Sequence, residues 1–111
     1  MGVLEGMKAS IEEKLGQKHA EARQRAARDI ELRNALLDDG LEIAGTQVSI
    51  DAAQRGAVAE VSVGGRVIAS VQVDRGTYIV ARSDGAVSRA PTQDGALKHV
   101  GEIIFEELNR R

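Results

Sequence analysis

The residues able to do chemistry are few, and their spacing is against most kinds. The two histidines, His19 and His99, stand far apart with no HxxxH or HExxH spacing, so a metal site or His-based catalytic set would have to be gathered from distant parts of the chain. Two helix-surface histidines are the plainer reading. Three carboxylate pairs are adjacent in sequence: Glu12-Glu13, Asp38-Asp39 and Glu106-Glu107. Neighbours in a helix diverge by about 100°, so they do not converge on one bond as acid–base hydrolysis requires. Solvated faces and helix ends explain them better. The serines lie in no GxSxG or SxxK element. The absence of cysteine removes disulfides, thiolate chemistry and Cys-based metal sites. The 12 glycines form no GxGxxG or GxxxxGK[ST] motif. Gly64-Gly65 lies between two strand-like runs rather than at a helix start, so it lacks the free amides of a phosphate cradle. No catalytic residue, metal site or cofactor is expected, and the chain reads as a non-enzyme.

One charge pattern stands out. Between residues 14 and 28 there are five cations, Lys14, Lys18, Arg23, Arg25 and Arg28, against one anion, Glu21. On a helix, Lys14, Lys18, Arg25 and Arg28 project within about 80° of one another. Such a stripe suits phosphates, an acidic protein surface, or acidic residues of the same assembly, for which Asp38, Asp39 and Glu42 are candidates. No aromatic residue is interleaved to stack on bases. A solvated helix face is again the plainer reading.

The element carrying this stripe is a helix expected over residues 3–39. The run contains no proline, and only Gly6 and Gly16 interrupt strong helix formers. Leu4, Ile11, Leu15, Ala22, Ala26, Ile30 and Leu37 fall on one broad face, and Gly40 suits the residue just past the end. A continuous helix would be about 55 Å long, against a radius of gyration of about 13 Å for a compact domain of this size. It must bend, with Gly16 the obvious place, break, or pack on another chain. Leu4, Ile11, Leu15, Ala22 and Ala26 are the expected self-association surface.

Strands are expected at 43–51, 57–62, 66–73, 77–82 and 86–89, an antiparallel meander of four to five strands. Alternation of faces suggests three-residue bulged turns at 63–65, 74–76 and 83–85, each ending in glycine. These put Ala59, Val61, Val67, Ala69, Val71, Val73, Ile79, Ala81 and Val87 on one apolar face. Glu60, Ser62, Arg66, Ile68, Ser70, Gln72, Tyr78, Val80 and Arg82 then form a mixed face. Pro91 ends the sheet region. Thr92 or Asp94 caps a last helix over 93–109, striped by Leu97, Val100, Ile104 and Leu108 and packed on one sheet face. Ile103 and Phe105 lie off that stripe, either as a second buried face or as its wrapped edge.

The bulk numbers agree with one α+β domain spanning 1–111. Hydrophobic content is 42% and charged content 29%, ordinary for a globular chain. With one Tyr, one Phe and no Trp, the core must be aliphatic and modest, which makes support from a homodimer reasonable. No apolar run approaches the ~20 residues of a membrane span. Residues 1–6 show no basic stretch leading into an apolar one, so no signal peptide is expected. A cytoplasmic protein without a membrane partner is expected. At a formal net charge of −2, any nucleic-acid contact must come from a local patch.

The order long helix, meander, helix resembles the YbaB/EbfC nucleoid-associated family of small dimeric DNA-binding proteins. The likeness is carried by Ala57-Val58-Ala59-Glu60-Val61-Ser62-Val63-Gly64-Gly65 and Ala69-Ser70-Val71-Gln72-Val73-Asp74, a generic strand–turn–strand pattern. After Asp74 the chain departs from the family by continuing into Thr77–Ser83 and a further turn. The α-β-β-β-α order of double-stranded-RNA-binding domains is similar too, but Thr92-Gln93-Asp94-Gly95 lacks the basic cluster those domains carry there. Two expectations result: a self-associating, non-catalytic module that binds another macromolecule as an accessory, inhibitor or assembly factor, or a nucleic-acid binder using the basic stripe.

Overall fold

The computed structural model describes residues 2–110. It is an α+β structure in which a long helix leads into a six-stranded antiparallel meander and a second helix packs on the sheet. Helix α1 runs Val3–Asn34, unbroken through Gly16, and ends in ordinary right-handed backbone at Ala35. It is therefore shorter than the expected 3–39. Gly40 is no helix cap. It lies in strand β1, Asp38–Ile43, at φ +119°, and its N–H donates to Asp38 Oδ1 at 2.9 Å. The pairing of β1 with β2, Thr46–Ala52, shifts register between Asp38 and Leu41, so this glycine sits in an edge-strand bulge. The strand expected at 43–51 is present as β2, and β1, unexpected, pairs with it in a hairpin folded at Ala44-Gly45.

Strands β3 (Val58–Val63), β4 (Arg66–Asp74), β5 (Thr77–Arg82) and β6 (Val87–Ala90) complete the sheet in sequence order. Two of the three expected bulged turns are instead two-residue turns. Val63 pairs with Arg66 across Gly64-Gly65, and Asp74 pairs with Thr77 across Arg75-Gly76. All four central residues have positive φ, as a type I′ hairpin requires. The parity conflict at the first turn is resolved inside β4. Ser62 pairs with Val67 and Val61 with Ala69, leaving Ile68 as the extra residue of a bulge. Adjacent Ile68 and Ala69 are consequently both buried. The third turn is as expected: Arg82 N–H donates to Ala86 O at 2.8 Å around Ser83-Asp84-Gly85, and Ala81 pairs with Val87.

These registers change which side chains meet the core. Val71 pairs with Val80, not Ile79, and Val73 with Tyr78. Tyr78, Val80 and Ile68 face inward with Ala59, Val61, Val63, Ala69, Val71 and Val73. Val67 and Val87 are exposed, and Ile79 and Ala81 half-buried, on the opposite face. Strand β5 is apolar on both faces, so alternation alone could not choose its register.

Helix α2, Gln93–Arg110, covers the inward face with Ala96, Val100 and Ile103. Thr92 caps it, its Oγ1 accepting from Gly95 N–H at 3.2 Å. Ile103 joins the same core, and Phe105 is exposed. Arg82 ties β5 to α2 by an ion pair with Glu106 and also approaches Asp84. The hydrogen bond to Glu106 pushes the Arg82 pKa up, against the pull of desolvation. The molecule measures 75 × 24 × 21 Å with a radius of gyration of 19.8 Å, because most of α1 projects beyond the sheet.

Candidate functional site

Residues 3–28 of α1 are exposed without exception. Leu4 is 76% exposed, Met7 43%, Ile11 49% and Leu15 50%, with Ala22 and Ala26 continuing the stripe. These large aliphatics form one aligned apolar row in water rather than scattered single residues. Every residue expected for self-association therefore lies on this projecting arm.

Only the last turns of α1 touch the sheet, and polar groups fix that joint. The Asp29 carboxylate accepts from Arg75 N–H and from Gly76 N–H, each at 2.9 Å, in the β4–β5 turn. Arg33, 9% exposed, donates through Nη1 to Val58 O at 3.0 Å and to Gly56 O at 3.5 Å, while its Nε reaches Asn34 Oδ1 at 2.9 Å. Charge-assisted bonds of this kind are stronger than neutral ones. Between the two pins Leu32 packs against the core and Leu36 enters it. At about 100° per residue, Asp29, Leu32, Arg33 and Leu36 lie on the same face as Leu4, Ile11, Leu15 and Ala22. One face of one continuous helix thus docks on the sheet at one end and is bare along the rest.

The four cations Lys14, Lys18, Arg25 and Arg28 are all exposed beside this stripe. Arg25 has one weak partner, Glu21 at 4.0 Å, with both side chains about two-thirds exposed; such a pair contributes little. Arg25 and Arg28 share an open cleft of about 330 Å³ with Asp29, Arg75 and Gly76. Arg75 is the functional candidate that sequence reasoning missed. It lies on a hairpin turn far along the chain, and only docking of that turn onto Asp29 brings it to the helix.

The remaining chemistry-bearing residues stay apart. His19 is exposed on the arm, and His99 is half-buried in α2. Asp38, Asp39 and Glu42 belong to edge strand β1, and Asp38 is engaged with the Gly40 amide. Among the described residues no cluster of three or more His, Asp or Glu could hold a metal ion. No helix among them is long and apolar enough to cross a membrane. Comparison with protein-family models, with characterised proteins and with solved structures gives no match to this chain.

Proposed function

We propose that the protein is a non-catalytic interaction module that self-associates through the bare arm of α1. As a cytoplasmic dimer it would bind another macromolecule, in the manner of an accessory, inhibitor or assembly factor. The observation behind this reading is the exposed row Leu4, Met7, Ile11 and Leu15 on an arm that is exposed along its whole length. Burying a large aliphatic side chain fully contributes about 1.5–3 kcal/mol. Four per chain, with Ala22 and Ala26 beside them, would form the apolar centre of the contact. The Ile11→Lys, Leu15→Lys double variant tests it. Both positions are exposed in the single chain, so the variant should fold as a monomer, its melting temperature lowered only by the association it has lost. An unchanged molar mass would count against the arm as the interface.

A second reading, nucleic-acid binding by the basic stripe, is favoured by the approach of Arg75 to Arg25 and Arg28 around one cleft. It requires affinity that falls steeply with salt and collapses in a combined Lys14, Lys18, Arg25, Arg28→Ala variant. Absence of any shift with duplex or single-stranded probes at low salt would end it.

A further inference from the structure

We infer that the self-associated form is an antiparallel pair of α1 arms, with Leu15 of each copy at the two-fold axis. The inference rests on the self-association proposed above and names its geometry. The face of α1 that docks on the sheet through Asp29, Leu32, Arg33 and Leu36 is the same face that is apolar and bare from Leu4 to Ala26. Packed helices lie about 8–10 Å apart. In a parallel pair both docked ends would face each other at the same height, and two sheets would need that one narrow space. An antiparallel partner avoids the collision, because its N-terminus, not its sheet, arrives where α1 meets the first sheet.

Length and side-chain size agree with that arrangement. The free arm covers residues 3–28, and its midpoint falls next to Leu15. Leu4, Leu15 and Ala26 recur every 11 residues, a period close to that of a straight helix. With Leu15 opposite Leu15, Leu4 of one copy faces Ala26 of the other. Met7 and Ile11 then pack around Ala22 and His19. Large residues of the N-terminal half meet small ones of the C-terminal half, which permits close approach along the whole arm. In an antiparallel pair like flank meets like flank. Glu5, Lys8 and Glu12 on one flank therefore run beside Arg23 and His19 of the second copy. The opposite flanks bring Lys14, Lys18, Arg25 and Arg28 of both copies to one side of the pair.

Because the chain contains no cysteine, single-cysteine variants read this geometry without background. Leu15→Cys should form a disulfide-linked dimer under mild oxidation, whereas Leu4→Cys alone should not. A mixture of Leu4→Cys and Ala26→Cys should give the crossed dimer. Spin labels on Leu4→Cys should lie about 33 Å apart, the rise of ~22 helical residues. A separation of about 10 Å at that site, or an efficient Leu4→Cys homodimer, would overturn the antiparallel pair while leaving self-association intact. A light-scattering mass of one chain with no cross-link at any position would overturn both.

Discussion

Asp29 and Gly76 stand 47 residues apart in sequence, and the Gly76 N–H donates to Asp29 Oδ1 at 2.9 Å. The neighbouring Arg75 N–H donates to the other carboxylate oxygen at the same distance. One carboxylate thereby holds both central amides of a type I′ turn and fixes where the helix leaves the sheet. Since α1 is continuous, that joint also sets the direction of the whole projecting arm.

Replacing Asp29 with Ala leaves two amides without their acceptor. Solvent reaches the turn, so the expected cost is modest, about 1–2 kcal/mol in urea unfolding. Amide exchange should quicken at Arg75 and Gly76 before it does in β3. An unchanged exchange rate at both would show that the carboxylate does not hold the turn.

Arg33 is the one charged side chain that is buried among the described residues. Its bonds to Val58 O and Gly56 O tie α1 to the start of β3. Arg33→Ala should cost about 2–3 kcal/mol. Arg23→Ala, on the exposed arm, should stay within about 0.5 kcal/mol. Equal stability of the two variants in urea melts would contradict the docking described.

Arg75 occupies a left-handed conformation at φ 51°, which costs an ordinary side chain roughly 1 kcal/mol. Asn accepts this backbone more readily in type I′ turns. Arg75→Asn should therefore raise stability by about 0.5–1 kcal/mol while removing a cation from the cleft with Arg25 and Arg28. A loss of stability would indicate that the arginine side chain itself supports the joint.

Much of this arrangement could be read from residue types, and the failures have local causes. The proline-free run gave helix α1 and the stripe Leu4, Ile11, Leu15, Ala22 and Ala26, because helical periodicity needs no tertiary information. The helix end was misplaced because Asp38-Asp39-Gly40 is poor strand material. It is held in a sheet only by pairing with β2 around a bulge. Face alternation in β4 held for Ala69, Val71 and Val73 but failed at Val67 and Ile68, because it assumed an unbroken strand whereas the bulge at Ile68 switches parity. In β5, apolar residues on both faces gave Tyr78 and Val80 no advantage over Ile79 and Ala81. Asp29, Arg33 and Arg75 carried no sequence signal, since each gains its role only when α1 meets strands far along the chain.

Multi-angle light scattering on the wild-type chain across a concentration series tests the central claim most directly. The expected result is a mass twice the 11.8 kDa of one chain, falling to one chain in the Ile11→Lys, Leu15→Lys variant. A wild-type mass of one chain at every concentration would contradict it.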